Sequence, residues 1–268
     1  MKRVLCPSLP RPGHAVELPE TEAEHSVRVL RLRDGDTLEA IDGKGYAAKV
    51  TLRVKGGPVR VEYLEDPRTL DASTAILPIT LEMAILKGDA MEWVIEKAVE
   101  LGIRTVIPTV TTHTVVQIQN KGPEAFQQRW QKIADQALKQ CGRFERLEVA
   151  LPISLEELLR KHPAKSDTIR IWCDEGDRNE TPYLMNWLAE KPADLGGDFR
   201  LLIGPEGGWS VQERELLGRT PGFGTHLVRT SLGPLVLRAE TAAIFATSLV
   251  TGVLRGRLTK SAESGELE

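Results

Sequence analysis

The stretch LLIGPEGGWS at residues 201–210 decides the fold, because it joins a strand pattern, a glycine-rich loop and the start of a helix. Gly204, Gly207 and Gly208 follow directly on the apolar run. Ser210, with Glu213 three residues later, forms a capping-box signature for the next helix. In an open α/β sheet, ligands bind at the carboxyl ends of strands, where glycine lets the backbone approach them closely. We therefore predict a ligand site at residues 204–210, named here the GPEGG loop.

The chemistry of the GPEGG loop favours a nucleoside-type ligand. Its spacing matches neither G-x-G-x-x-G nor the Walker P-loop, and it has no lysine to meet a β- or γ-phosphate. A single loop of this kind is also explained by a tight turn whose glycines only permit positive φ. A second glycine-bearing stretch, SLGPLVLRAET at 231–241, again joins a strand to a helix and favours binding. Residues 231–238 are named here the SLG loop.

Strand and helix patterns alternate on both sides of these loops. ITLEMAIL at 79–86 has strand length, and apolar residues then recur at helical spacing up to Leu101, with Asp89 as predicted N-cap and Gly102 as predicted stop. The further predicted elements are strands at 105–107, 168–173, 199–203 and about 225–228, and helices at about 123–140 and 240–254. The apolar stripe predicted for the helix at 123–140 consists of Phe126, Trp130, Ile133, Ala137 and Cys141. This order predicts a parallel sheet with helices on its faces.

The first part of the chain has a different pattern. Short alternating runs at 37–41 and 46–54 flank a turn at 42–45, and one more strand ends at Tyr63. The polar residues from 65 to 73 resemble a linker. We therefore predict a small β-rich domain at 1–72, an α/β domain at 73–257 and a disordered tail at 258–268.

Composition limits the class of protein. With 268 residues, 41% hydrophobic and 27% charged, the chain has the composition of an ordinary globular protein. Prolines interrupt its start and no segment approaches the roughly 20 apolar residues of a membrane span, so we expect a cytoplasmic protein without membrane contact. Cys6, Cys141 and Cys173 have neither disulfide nor zinc spacing, and we expect no metal. A net charge of −3 leaves nucleic-acid binding open, because the placement of basic residues decides it.

Several blocks of the sequence resemble one family. IGPEGGWS followed by SLGPLVLRAETA is similar to the signature of the RsmE family, the 16S ribosomal RNA uridine N3-methyltransferases of the SPOUT superfamily. KGDAMEWVIEKAVELGI at 87–103, RWQKIADQALKQCGR at 129–143 and HSVRVLRLRDGD at 25–36 also resemble that family's blocks, in the same order. The resemblance implies an α/β, SPOUT-type methyltransferase domain with a C-terminal trefoil knot, preceded by a PUA-like β-barrel that binds RNA. General topology rules argue against a knot.

The same resemblance implies the reaction and the partners. S-adenosylmethionine is the implied cofactor, and N3 of a uridine in 16S ribosomal RNA of the small ribosomal subunit is the implied acceptor. A homodimer that assembles the RNA site across two subunits is also implied. Two alternatives stay open: a SPOUT methyltransferase that acts on transfer RNA or a ribose 2′-hydroxyl, and a noncatalytic RNA-binding assembly factor. The intact GPEGG and LRAET sequences count against the assembly factor.

Carried over position by position, the resemblance assigns the site residues. Arg238 and Glu240 are the implied catalytic residues. A guanidinium beside the uridine carbonyls would stabilise the anion that forms when N3 loses its proton, and we assign this role to Arg238. Glu240 would orient Arg238, although an acidic residue in the first turn of a helix is favourable for dipole reasons alone. The implied cofactor-binding residues are Leu202, Ile203, Gly204, Pro205, Glu206, Gly207, Gly208, Ser231, Leu232, Gly233, Leu237 and Arg238.

Basic residues supply the predicted RNA contacts. Arg28, Arg31 and Arg33 cluster beside His25 and suit phosphate contacts, with a merely solvated face as the alternative. Lys87 and Arg143 are also predicted to contact RNA.

The sequence departs from the family pattern at three places. Trp209 stands where Phe is more usual, His113 stands at an Arg-like position, and Pro234-Leu235 stands where an Arg often follows. We expect the aromatic exchange to preserve packing. The other two remove arginines that would contact RNA or substrate.

Overall fold

The computed structural model describes residues 1–70, 76–163, 167–176, 181–190 and 197–264, with side chains up to residue 256. The chain divides into two compact units. The first comprises Met1–Ala75 and Asp135–Arg146, and the second comprises Ile76–Ala134 and Leu147–Glu268. The boundary expected at 72 lies outside the described residues, so the domain limits 1–72 and 73–257 stay a prediction.

One six-stranded sheet forms the frame of the first unit. Its strands are β1 (Arg3–Leu5), β2 (Ala15–Glu17), β3 (Thr37–Ile41), β4 (Tyr46–Arg53), β5 (Arg60–Tyr63) and β6 (Arg68–Thr69). The short helix α1 (Glu20–Glu24) and one π-helical turn (His25–Val29) come between β2 and β3. The order is β1-β3-β4-β5-β2, with β6 also paired to β4. β1 and β3 run parallel and the other pairs are antiparallel, which confirms the strands predicted at 37–41, 46–54 and up to Tyr63.

Apolar side chains are buried on one face of this sheet, and a charged side chain is buried on the other. Leu38, Val50 and Leu52 are fully buried in one apolar cluster, as strand alternation predicts. The neighbouring Glu39 is also buried and accepts hydrogen bonds from Arg3 Nε (2.7 Å) and Arg68 Nη2 (2.5 Å). Burial alone would raise the pKa of Glu39, but the two guanidinium groups lower it overall. An ionised carboxylate therefore stays inside this unit.

The second unit is built on a seven-stranded sheet. Its strands are β7 (Ile79–Ala84), β8 (Thr105–Val110), β9 (Glu148–Val149), β10 (Ile153–Ser154), β11 (Thr168–Cys173), β12 (Asp198–Ile203) and β13 (Leu227–Thr230). Its helices are α2 (Ala90–Glu100), α3 (Pro123–Cys141, whose last turns belong to the first unit), α4 (Leu155–Lys161), α5 (Leu184–Ala189), α6 (Val211–Arg219) and α7 (Ala239–Ser264). The order is β10-β8-β7-β12-β11-β13, with β9 on β8, and every pair is parallel.

Helices cover both faces of this sheet. Every residue of the central strand β7 is buried, as is typical of a parallel strand covered on both sides. Trp172 and Leu202 pack with Leu158 of α4 and Leu217 of α6, whereas α7 packs against α2, β7 and β12. The predicted α/β fold with a parallel sheet is confirmed.

The predicted ends of α2 are confirmed in position, whereas the predicted stripe of α3 is confirmed only in part. Asp89 stands at the N-cap of α2, but its side chain makes no capping hydrogen bond. Gly102 takes a φ of +82° directly after that helix, as predicted for a stop. The buried residues of α3 include Trp130, Ala134, Ala137 and Leu138, so Trp130 and Ala137 of the predicted stripe are confirmed, whereas its last member, Cys141, is exposed.

The C-terminal elements also differ in length from the expectation. β13 begins at Leu227 and not near residue 225. α7 continues from Ala239 to Ser264, past the predicted end at 254 and into the predicted disordered tail, because no proline interrupts it. Residues 265–268 of that tail lie outside the described residues. None of the described helices combines the length and the apolarity that a bilayer crossing needs.

Candidate functional site

A cavity of about 710 Å³ lies at the carboxyl edge of the sheet in the second unit. Its walls come from the residues that follow four adjacent strands, β7, β12, β11 and β13. Because these strands are parallel, the loops after them meet at one edge of the sheet. The volume lies within the range of about 300–1,000 Å³ that is usual for small-molecule sites. The GPEGG and SLG loops are thus brought together, as the sequence indicates.

Most of the residues expected at the cofactor line this cavity. They are Ile203, Gly204, Pro205, Glu206, Gly207, Gly208, Ser231, Leu232, Gly233, Leu237 and Arg238. Leu202 does not line it, because strand alternation turns its side chain into the core beside Trp172. Sequence reasoning missed Asp174 and Glu175, which also line the cavity. Their position directly after a predicted buried strand was the signal that could have found them.

Trp209 anchors the GPEGG loop to the sheet. Its indole is buried, and Nε1 donates a hydrogen bond to the Cys173 carbonyl (3.0 Å). The ring meets Trp172 edge-on at 6.4 Å between centroids. A Cβ on Gly204 would lie 2.9 Å from the Trp209 ring, so the loop has room only for glycine at that position. Trp209, which stands where Phe is more usual, is therefore buried in the core as expected.

The end of the GPEGG loop is held by the predicted capping box, which is confirmed. The Ser210 hydroxyl accepts from the Glu213 N–H (3.2 Å), and the Glu213 carboxylate accepts from the Ser210 N–H (2.9 Å). The same carboxylate accepts from the Thr112 N–H (2.8 Å). This links α6 to the loop that follows β8.

Two further hydrogen bonds hold the middle of the GPEGG loop. His113 Nδ1 lies 2.9 Å from the Gly208 carbonyl oxygen, and since a carbonyl only accepts, the ring nitrogen donates. The Glu206 carboxylate accepts from the Lys87 N–H (3.1 Å). His113 stands where the family pattern has an arginine-like residue, and it is therefore a contact of the GPEGG loop.

The SLG loop is fixed mainly at its beginning. The Ser231 N–H donates to the Pro182 carbonyl (2.9 Å), and the Leu184 N–H donates to the Ser231 carbonyl (2.8 Å). Farther along, Leu235 and Val236 are 75% and 66% exposed. The side chain of Arg238 is exposed at the cavity, and its guanidinium has no hydrogen bond or ion pair among the residues that the structure describes.

Glu240 also lines the cavity and lies in the first turn of α7. Among the described side chains it forms no ion pair with Arg238, so the expected orienting contact is not made in this conformation.

A compact charge cluster closes the cavity wall after β11. The carboxylate of Asp174 is inaccessible to solvent and accepts from Arg214 Nη2 (3.0 Å) and Arg229 Nε (2.8 Å). Arg214 Nη2 also donates to Glu175 (2.7 Å). Although burial alone would lower it, the two carboxylates raise the pKa of Arg214, which stays charged. Burial raises the pKa of the adjacent Cys173 thiol to about 12, so that residue remains a neutral thiol.

The residues expected at RNA have different surroundings. Arg28, Arg31 and Arg33 are exposed in the first unit, where Arg28 pairs with Glu24 (3.0 Å) and Arg31 takes a φ of +53°. Such a φ is uncommon for a residue with a side chain. Lys87 is exposed on the wall of the cavity in the second unit. Arg143 is only 7% exposed.

An open parallel sheet with a cavity between glycine-bearing loops at its carboxyl edge defines a ligand-binding α/β domain. Within the described ranges, His, Cys, Asp and Glu form no group of three or more that could hold a metal ion. A model of the RNA methyltransferase domain family matches residues 73–251.

Similar proteins narrow the family further. The chain is 29% identical to ribosomal RNA small subunit methyltransferase E of Bacillus subtilis, over 88% of this chain and 90% of that protein. It is 31% identical to the protein of the same name from Synechocystis, over 89% of this chain and 73% of that protein. The crystal structure of that methyltransferase from Neisseria gonorrhoeae, bound to S-adenosyl methionine, is 28% identical and superposes with a TM-score of 0.77, covering 94% of this chain and 98% of that chain. The chain therefore belongs to the ribosomal RNA small subunit methyltransferase E family, as the motifs indicated.

Proposed function

We propose that this protein transfers a methyl group from S-adenosylmethionine to N3 of a uridine in 16S ribosomal RNA of the small ribosomal subunit. The observation that carries the proposal is the cavity between the GPEGG and SLG loops, with the exposed Arg238 guanidinium on its wall. Membership of the methyltransferase E family supports the choice of small-subunit RNA.

The cavity suits S-adenosylmethionine in size and in chemistry. Ile203, Leu232 and Leu237 offer apolar walls for a purine, and the glycines of both loops expose backbone groups beside it. The GPEGG loop has no lysine, in keeping with a ligand that has no phosphate. The cofactor would supply a methyl group that is already activated on a sulfonium.

The residues of the chain would then position the acceptor and stabilise its charge. The two loops would hold the cofactor and the acceptor base next to each other and exclude water from them. When N3 of uridine loses its proton, negative charge spreads onto the flanking carbonyl oxygens, and Arg238 would donate hydrogen bonds to them. Glu240, on the same wall, would contact Arg238 only once substrate draws the guanidinium inward.

RNA binding is assigned to basic residues in each unit. The exposed Arg28, Arg31 and Arg33 would contact phosphates from the first unit, which we propose is a PUA-like barrel at 1–72. Lys87 would contact RNA beside the cavity. Arg143 is buried, so a contact through its side chain would require a local rearrangement.

We also propose the trefoil knot within a SPOUT-type domain at 73–257. The hydrogen bonds of Ser231 with Pro182 and Leu184 support it, because they hold the chain after β13 against the connection between β11 and β12. An experimental chain trace that is continuous from Thr168 to Gly256 tests this topology.

We also propose that the protein is a homodimer and is located in the cytoplasm. Leu235 and Val236 are exposed beside the cavity, and apolar side chains in such a position suit coverage by a partner subunit. The three free cysteines suit a reducing compartment. Sedimentation equilibrium of the wild-type protein and of Leu235→Ser tests the dimer, which the substitution should weaken.

Mass spectrometry of ribosomal RNA tests the reaction. Cells that lack the gene should lose one methyl mark on a uridine of small-subunit RNA, and the wild-type gene should restore it. A missing mark on transfer RNA or on a ribose would instead select the related methyltransferase.

Calorimetry with S-adenosylmethionine separates the enzyme from a noncatalytic assembly factor. Absence of binding at millimolar ligand would contradict the proposed methyl transfer.

A further inference from the structure

We propose that Glu175 is a specificity-determining residue that recognises the ribose of the methyl donor, by accepting hydrogen bonds from its 2′- and 3′-hydroxyls. The inference rests on the proposed function, since it requires a nucleoside ligand in the cavity. Glu175 follows β11 at the carboxyl edge of the sheet and lines the cavity. Its side chain is 38% exposed, so a ligand can reach it.

The two adjacent carboxylates after β11 have different tasks. Asp174 is wholly enclosed, and its oxygens are occupied by Arg214, Arg229 and the Gly176 N–H (3.1 Å). It therefore organises the cluster and is not accessible to a ligand. Glu175 is the carboxylate that remains accessible from the cavity, and Arg214 holds it from the side at 2.7 Å.

The GPEGG loop is shaped around this carboxylate. Gly208 has a φ of +69°, and a Cβ at that position would lie too close to Oε1 of Glu175 for any side chain. Glycine thus allows the loop to pass close to the carboxylate while both line the same cavity. A ligand held by the backbone of the loop would have Glu175 within reach.

The charge around Glu175 favours a neutral donor over a cation. A carboxylate only accepts hydrogen bonds at neutral pH, and a ribose diol offers two O–H donors. In dinucleotide-binding folds an acidic residue near the carboxyl edge of the sheet takes this role. The ammonium of the methionine moiety is the competing partner, but it would have to approach the positive Arg214 guanidinium as well. We therefore assign the hydroxyls to Glu175.

Calorimetry with S-adenosylhomocysteine and with methylthioadenosine shows whether Glu175 contacts the ribose hydroxyls or the ammonium. Methylthioadenosine keeps the ribose of S-adenosylhomocysteine but lacks the amino-acid moiety. Glu175→Ala should weaken both ligands by roughly 10- to 100-fold, the range for a lost hydrogen bond to a charged group. Glu175→Gln should weaken them less, because its carbonyl still accepts. Glu215→Gln is the matched control, since Glu215 lies on α6, is 59% exposed and pairs only loosely with Arg219 (3.7 Å).

Deoxy analogues test whether the effect acts through the hydroxyls. 2′-Deoxy- and 3′-deoxy-methylthioadenosine should bind the wild type more weakly than the parent compound, and Glu175→Ala should remove that difference. A merely structural role of Glu175 would leave the difference intact and would overturn the proposal. Thermal melts check folding, and if Glu175→Ala does not fold, Glu175→Gln should reduce that difference in part, because its carbonyl is a weaker acceptor than the carboxylate.

The remaining outcomes are also decisive. If Glu175→Ala weakens S-adenosylhomocysteine but not methylthioadenosine, the carboxylate recognises the ammonium and the ribose assignment is wrong. If neither ligand is affected, Glu175 does not contact the donor. If the wild-type protein binds neither ligand, the proposed function itself fails, and the ribose assignment fails with it.

Discussion

The GPEGG loop and the SLG loop line one cavity, but they are supported in opposite ways. Trp209, Ser210 and Gly208 of the GPEGG loop are each bonded to a different neighbouring segment. The SLG loop is hydrogen-bonded to the 182–184 segment at Ser231, and its later residues Leu235 and Val236 are exposed. One side of the cavity is therefore rigid, and the other side is open to further contacts.

This difference suggests a division of labour between cofactor and substrate. A loop that is held by hydrogen bonds before a ligand arrives costs little to order when the ligand binds, which favours cofactor affinity. An exposed guanidinium and exposed apolar side chains cost more to order, but they are accessible to RNA and to a second subunit. Substitutions in the GPEGG loop should thus affect binding and stability, whereas substitution of the exposed Arg238 at the end of the SLG loop should affect turnover.

The largest effect is expected from Gly204→Val. The new Cβ would lie 2.9 Å from the Trp209 ring, which is buried and cannot move aside without losing its packing. The loop must then shift away from Trp209 and change the shape of the cavity wall, so we expect binding of S-adenosylmethionine to be abolished. Calorimetry measures the loss.

Gly218→Val is the matched control for this substitution. Gly218 lies on the exposed side of α6 with open space around its Cβ position. The control should bind as the wild type does. Wild-type affinity in Gly204→Val would contradict the idea of a rigid cofactor loop.

Trp209→Ala should have the next largest effect, on stability. Removing a buried tryptophan costs about 3–5 kcal/mol through lost contacts and the resulting cavity. Leu235→Ala in the SLG loop should change the free energy of unfolding of the monomer by less than about 0.5 kcal/mol, because that side chain is 75% exposed. Urea unfolding measures both. Equal losses in the free energy of unfolding for the two variants would mean that the two loops are packed alike.

Arg238→Ala should affect turnover and leave cofactor binding intact. Loss of one hydrogen-bond donor to a developing anion lowers kcat by roughly 100- to 1,000-fold, or about 2.7–4 kcal/mol. Arg238→Lys should recover part of the lost kcat, since an ammonium keeps the charge but not the planar donor geometry. Single-turnover assays on small-subunit particles measure the rate. Wild-type turnover in Arg238→Ala would exclude the catalytic assignment.

Sequence patterns predicted the elements with strong local signals. The alternating strands at 37–41 and 46–54, the strand before Gly204 and the capping box of Ser210 were all confirmed, because each depends on residues close in the chain. The predicted end of α7 and the last member of the predicted stripe of α3, Cys141, were wrong, since both depend on which neighbours pack against the helix.

The site shows the same limit. The residues predicted in the two glycine-bearing loops line the cavity, but the lining residues Asp174 and Glu175 were not predicted, because their charge balance with Arg214 and Arg229 joins three separate elements. Leu202 was included by proximity along the chain, although strand alternation turns it away from the cavity.

The smallest expected effect, at His113, tests how rigid the GPEGG loop is. His113→Ala removes the exposed hydrogen bond to the Gly208 carbonyl, which is worth about 0.5–1.5 kcal/mol. Cofactor affinity should fall by roughly 2- to 10-fold, with kcat unchanged at saturating cofactor. His113→Asn, which keeps a donor, should recover part of the affinity, and His14→Ala, an exposed histidine of the first unit, should have no effect. A fall in kcat without a change in affinity would mean that His113 acts on the substrate, and the contrast between a cofactor loop and a substrate loop would then be wrong at this position.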